Sequence, residues 1–292
     1  MRLVLAALVL IAAGAAAFLW ITRPRPLDAA DLAGLEGDAA RGAQVFLATG
    51  CASCHKAPGA APEAELVLSG GQEFPSDFGT FLAPNISQHP EQGIGAWSLH
   101  DLANAMMRGV SPAGEHYYPA LPYASYAKMR LQDVADLYAY MRTLPADPTP
   151  SQPHRLGFPF NQRLALGGWK LLFLNTDWAL AGDLPEPAAR GRYIVEAMAH
   201  CGECHTPRNL LGGMDRGRWL TGAPNPSGRG RIPGVTPGEL GWSADEIVEY
   251  LTSGFTPDYD SAGGHMVAVI ENLARLPVED REAVAAYLLA LP

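Results

Sequence analysis

The chain has 292 residues, 48% hydrophobic and 17% charged, enough for two domains of ordinary size and too apolar for a disordered protein. Its net charge is −9. Residues 38–145 and 190–292 each carry about −4 of it, so neither stretch offers the basic face that nucleic acid requires.

The N-terminus holds no charge from Leu3 to Thr22, about the length of a helix that crosses a bilayer core. Trp20 stands where an interfacial aromatic would, ahead of Arg23 and Arg25. The alternative is a signal peptide cut after Ala15 to Ala17. The apolar run continues through Phe18, Leu19, Trp20 and Ile21, which is long for a signal, so residues 1–25 are read as a retained membrane anchor. Either reading sends the rest of the chain out of the cytoplasm.

A helical pattern, "DAARGAQVFLAT", leads into "CASCH", where Cys51, Cys54 and His55 stand together. A second, "PAARGRYIVEAMA", leads into "HCGECH", with Cys201, Cys204 and His205. Gly42 and Gly191 give each preceding helix a small face for close packing. Ser98 and Ser243 read as N-caps, with Asp101 and Glu246 at the capping-box position, the aspartate being the weaker match. "VADLYAYMRTL" and "EAVAAYLLAL" are closing helices with apolar residues at helical spacing. Loops rich in proline and glycine lie between, and no strand pattern of any length is visible. One unit of about 100 residues is used twice, at offsets of 150 (His55 to His205) and 145 (Trp97 to Trp242).

The segment 146–186 between the repeats reads as a proline-rich linker with a short helix. "NQRLALGGWKLLFLNTDWALAG" is too short and too interrupted to span a membrane. It is assigned to packing against one of the repeats, with a second membrane contact as the alternative.

The two pentapeptides consume every cysteine of the chain. A disulfide within each C-x-x-C, or one tetrahedral zinc site from both, would use the thiols. Neither calls for a histidine directly after the second cysteine, twice. C-x-x-C-H does: the thiols form thioethers to the vinyl groups of haem, and the adjacent imidazole reaches the iron from the proximal side. The motif therefore predicts two covalently bound haem c groups, held by Cys51, Cys54, His55, Cys201, Cys204 and His205.

Helix, C-x-x-C-H, long loops and a closing helix with "AYL" resemble class I cytochrome c domains. "APNISQHPEQGIGAWS", "YYPALPYASYAKM", "FPFNQR" and "HCGECHTPRN" resemble, more specifically, the membrane-bound cytochrome c subunits of bacterial periplasmic dehydrogenases of the alcohol, gluconate and sorbitol type. Many members of that group carry three haems, and this chain has two haem motifs. The resemblance implies an all-α protein with two tandem class I cytochrome c domains, 38–145 and 187–292. It implies electron transfer from a periplasmic or membrane dehydrogenase to an oxidase, quinone or soluble cytochrome, with the haem domains in the periplasm and the anchor in the inner membrane. The alternative is a dihaem enzyme of peroxidase or thiosulfate-oxidising type with an open first site.

The resemblance also bears on the sixth iron ligand. Met266, before the second closing helix, is the candidate for the second haem, with His265 as its neighbour and rival; Met198 and Met214 lie too near the haem motif. Moving Met266 back by 145 lands on Leu121, which has no donor atom. Met129, eight residues on, is the candidate for the first haem, ahead of His100 and His116. Met106 and Met107 fall on a helix and read as core. Tyr117, Tyr118, Pro119, Pro122, Trp97 and Trp242 are expected near the haem pockets or in the core, and Arg208 near a haem propionate or at the surface.

Overall fold

The computed structural model describes residues 1–226, 228 and 230–292. Its first helix, α1 (Arg2–Ile21), has no buried residue and is long and apolar enough to cross a membrane. The rest is built largely from short helices around one continuous apolar core.

In the first half, α2 (Ala39–Thr49) runs directly into α3 (Cys51–His55) through Gly50, whose φ of +63° turns the chain. α4 (Leu99–Ala103) continues into a wider π turn, Asn104–Arg108, and α5 (Tyr123–Tyr126) precedes the closing α6 (Leu131–Met141). In the second half, α8 (Ala188–Arg192), extended by a π turn over Tyr193–Met198, leads to α9 (Gly202–His205). α10 (Pro237–Leu240), α11 (Ala244–Ser253), α12 (Met266–Leu273) and the closing α13 (Val278–Leu289) follow.

The same two contacts build both halves. α2 lies against α6, and α8 against α13. Gly42 allows the first: a Cβ there would meet the Asp136 carbonyl oxygen at 1.9 Å. Gly191 allows the second, where a Cβ would meet the Ala283 carbonyl oxygen at 1.8 Å. An ion pair locks each crossing. Arg41 holds Asp136 with two hydrogen bonds, 2.7 and 2.8 Å, and Arg190 holds Asp280 at 2.8 and 3.1 Å.

Both capping boxes form. Ser98 and Ser243 each accept from the backbone N–H three residues on, and Asp101 and Glu246 each accept from the cap's own N–H at 2.9 and 2.7 Å. Asp101 thus makes the box as fully as Glu246, because its shorter side chain still reaches one turn back.

The absence of strands needs correction in detail. Glu73–Ser76 (β1) pairs antiparallel with Gly79–Leu82 (β2), and Arg155–Leu156 (β3) adds to β2's other edge. Ala223–Pro224 (β4) pairs with Arg231–Ile232 (β5). Two to four residues are too few to show an alternating pattern.

The proline-rich segment is not a free spacer. The Asn85 amide donates to the carbonyls of Asp147 (2.9 Å) and Thr149 (2.7 Å), and His154 accepts from the Leu82 N–H at 3.1 Å. α7 (Ala165–Phe173) follows, and the buried Glu196 carboxylate then accepts from the Ala179 N–H at 2.6 Å.

Candidate haem-binding centres

α3 and α9 each present two thiols and one imidazole on a single short helix. In a helix the side chains at i, i+3 and i+4 share a face, so Cys51, Cys54 and His55 project together, as do Cys201, Cys204 and His205.

The imidazoles are fixed identically. His55 Nδ1 lies 2.8 Å from the Pro84 carbonyl oxygen, and His205 Nδ1 lies 2.8 Å from that of Pro233. A carbonyl only accepts, so Nδ1 carries the proton and Nε2 keeps its lone pair. Burial holds both imidazoles below their ordinary pKa, which favours the neutral form a metal needs. The surrounding loops repeat as well: the His55 carbonyl accepts from Gly70 N–H and the His205 carbonyl from Gly222 N–H, each at 2.7 Å. Ile86 N–H reaches the Leu68 carbonyl at 2.9 Å, and Val235 N–H that of Leu220 at 2.8 Å.

All four thiols are unpaired. Desolvation raises Cys51 and Cys54 to about 11 and Cys201 to about 12, and raises Cys204 too, so the free thiols keep their protons at neutral pH. Among the described residues, no three His, Cys, Asp or Glu side chains group as metal ligands. A donor set of two protonated thiols and one oriented imidazole fits covalent haem.

The two motifs lie close to each other. Cys204 lies near enough to Cys54 to disfavour its thiolate further. The Tyr126 and His200 rings meet edge to face at 5.7 Å between centroids. His200 occupies the left-handed backbone region (φ +46°) at the position Gly50 fills in the first half. Asn272 Nδ2 donates to Ser53 Oγ at 2.8 Å, and Tyr193 donates to Asp133 and accepts from the Arg130 N–H at 3.0 Å. None of these cross-links shows in local sequence.

Among the methionines, Met129 is 4% exposed and lies in the core between α5 and α6, while Leu121 packs against the same core. Met106 and Met107 are buried on the π turn, as core residues should be. His100 is engaged elsewhere, its Nε2 at 3.0 Å from the Leu27 carbonyl oxygen; His116 Nε2 is at 2.8 Å from that of Thr22. Met266 begins α12, half-buried against the core. Arg281 on α13 caps the far end of α12 by donating to the carbonyls of Leu273, Ala274 and Leu276, at 2.9, 3.1 and 2.8 Å. His265 points outward and stacks on Phe74 at 5.5 Å. Tyr118 is buried, Tyr117, Pro122, Trp97 and Trp242 are half-buried, and Arg208 pairs with Glu203.

The cytochrome c family profile matches residues 39–145. The diheme cytochrome c-type protein of Cereibacter sphaeroides is 56% identical over 291 residues, covering 100% of this chain and 98% of that protein. The fructose dehydrogenase cytochrome subunit of Gluconobacter japonicus is 33% identical over 92% of this chain and 56% of that protein. The cytochrome c subunit of the quinone-dependent alcohol dehydrogenase of Gluconobacter oxydans is 30% identical over 86% of this chain and 54% of that protein. The chain thus spans nearly all of the first relative and little more than half of the other two. With two covalently bound haem c groups as its cofactors, the chain belongs to the dihaem c-type cytochromes of the cytochrome c family.

Proposed function

We propose that this protein is a membrane-anchored periplasmic electron carrier of two tandem class I cytochrome c domains, 38–145 and 187–292, joined by 146–186. It takes electrons from a dehydrogenase partner and delivers them to the respiratory chain through an oxidase, quinone or soluble cytochrome. It performs no substrate chemistry of its own. The observation that carries this is the duplicated imidazole geometry: two proximal histidines, each pinned through Nδ1 to a proline carbonyl, on motifs that lie close to each other. The cytochrome subunits among its relatives support the partner class.

Haem supplies reversible one-electron chemistry at its iron. The residues do the holding. Cys51 and Cys54, with Cys201 and Cys204, form the thioether links, and His55 and His205 offer Nε2 as the proximal donor. Met129 and Met266 would supply the thioethers that complete the coordination of the two irons. A methionine there raises the potential and fills the open position, which suits transfer over catalysis. The tethering of His100 and His116 to carbonyls of the N-terminal segment favours Met129 as the first sixth ligand.

The test is optical. Ferric iron with a methionine ligand has a weak band near the red edge of the visible. Met129→Ala should remove half of it and let carbon monoxide bind one reduced haem; Met266→Ala should remove the other half. A wild-type reduced protein that already binds carbon monoxide would favour the dihaem enzyme. A spectrum that responds to His100→Ala or His116→Ala, and not to Met129→Ala, would make the first ligand a histidine.

A further inference from the structure

α7 wears its apolar stripe on the outside. Leu164, just before the helix, and Gly168, Leu171 and Leu172 fall at i, i+4, i+7 and i+8, and so share one face. Leu164 is 73% exposed, Leu171 65% and Leu172 70%. A surface helix of a water-soluble protein turns such a stripe to the core. The inward side here is Leu166, Gly167 and Lys170, whose ammonium donates to the carbonyls of Arg108 (2.7 Å) and Gly109 (2.8 Å).

α7 also packs on the end of α1. A Cβ on Gly167 would lie 2.4 Å from the Thr22 carbonyl oxygen, and one on Gly168 3.1 Å from the Phe18 ring. At 1.5 Å per residue, the 20 residues of α1 rise ~30 Å, the thickness of a bilayer's hydrocarbon core. A spanning α1 therefore puts Thr22 at the hydrocarbon boundary and Phe18 about one turn, ~5 Å, inside it. A helix in contact with both is held at that boundary. Its exposed leucines then sit at the depth where amphipathic helices rest, about 5–10 Å into the interface.

The exposed apolar surface continues beyond α7. Trp169 Nε1 donates to the Leu211 carbonyl at 2.8 Å, and Leu210 and Leu211 are exposed beside it. Phe160 packs edge-on against Phe78 at 4.8 Å, and that ring lies against the Gly212 backbone. Arg23 covers the Trp20 ring at 3.7 Å, a pairing suited to the headgroup level. Contiguous apolar surface of this kind marks an interaction site, and the end of α1 fixes which one.

We infer that α7, with Phe160 and the Leu210–Leu211 loop, is a second membrane contact that lies in the plane of the lipid interface beside the end of α1. The inference rests on the retained anchor proposed above. The segment therefore packs against both halves with one side and against lipid with the other. Two contacts fix the height and tilt of the haem-binding halves, where a lone anchor would let them swing.

Since the haem motifs consume all four cysteines, an introduced cysteine is the single free thiol. Full-length Leu164→Cys and Leu172→Cys should be compared with Tyr259→Cys, which is 93% exposed. Each is placed singly in phosphatidylethanolamine–phosphatidylglycerol nanodiscs, one copy per disc, and treated with a water-soluble maleimide. The first two should label about ten-fold or more slower than the third. Equal rates overturn the contact. Slow labelling in native membranes with fast labelling in nanodiscs also overturns it, because a protein then covers the face. A mature mass lacking the first ~17 residues, as cleavage after the small residues would give, overturns the anchor instead. The haem spectra of the same variants report separately on the electron-carrier reading.

Discussion

Gly191→Ala pits two opposed effects against each other. Alanine is the better helix former by about 1 kcal/mol. Its Cβ, however, would sit 1.8 Å from the Ala283 carbonyl oxygen and 2.8 Å from Tyr287 Cβ. The first of these is backbone and cannot rotate aside, so α8 and α13 must separate along the whole crossing. Overpacking a tight contact costs roughly 1–3 kcal/mol, and a backbone obstacle belongs at the upper end. The clash therefore wins, with a net loss of about 1–2 kcal/mol. Gly42→Ala, 1.9 Å from the Asp136 carbonyl oxygen, should behave alike in the first half. Gly238→Ala, with nothing within 4 Å, supplies the control in which propensity acts alone. Urea unfolding followed by far-ultraviolet circular dichroism measures all three. If Gly191→Ala is as stable as the wild type or more so, the close helix crossing is not what the glycine is for.

Asp136 gives a pH dependence. Burial pushes its carboxyl up, but hydrogen bonds from Arg41, the Asp38 N–H and Gln132 outweigh burial and hold it below the ordinary value. A depressed folded pKa gives stability that is complete above the unfolded value, about 4, and is lost as pH falls through the folded one. Asp136→Asn should therefore lower the urea midpoint at pH 7 and flatten its fall below about pH 4; parallel pH profiles would refute this. Glu196→Leu should take the acceptor from the Tyr287 O–H and from the Ala179 N–H, now held at 2.6 Å each, leaving Tyr287 only the bond it accepts from Trp219 Nε1, and cost about 1–3 kcal/mol per unsatisfied donor. An unchanged thermal midpoint would show that the linker does not depend on this carboxylate.

What was legible in the sequence was local chemistry. The two C-x-x-C-H motifs and the serine caps each act within one or two turns, so spacing alone exposes them; Gly42 and Gly191 show as small residues on a helical pattern, while the Asp136 and Ala283 carbonyls they make room for do not. What was hidden acts at a distance. The Pro84 and Pro233 carbonyls that orient the imidazoles lie 29 and 28 residues from their histidines. Glu196 meets Tyr287 across 91 residues, and Ser53 meets Asn272 across 219. A proline-rich stretch likewise reads as a spacer until Asn85 is seen to hold it down, because the side chain that pins it belongs to another loop. The outward leucine face of α7 has the same cause: periodicity finds a stripe and cannot say which way it faces.

Loop length bends the repeat where the methionines fall. In sequence register, Met266 faces Leu121. Counting back from the closing helices gives a different pairing, because Arg130 and Pro277 are the residues just before α6 and α13. On that register Met129 faces Leu276, and the two are 4% and 5% exposed. Each half therefore has one methionine and one leucine at its two loop positions, in opposite order. Leucine and methionine differ little in volume, so the exchange leaves the packing nearly unchanged while it moves the thioether along the loop. The helices before α6 and α13 differ to match: α5 has four residues and α12 has eight. In the second half a longer helix, capped by Arg281, carries its methionine at the N-terminal end. In the first, a single turn brings Met129 into the core from its C-terminal side. At the fixed offset of 145, Leu121, which has no donor atom, stands opposite Met266. The register taken from the closing helices instead sets the buried Met129 opposite Leu276, so the two thioethers fall at different places between the haem motif and the closing helix of each half.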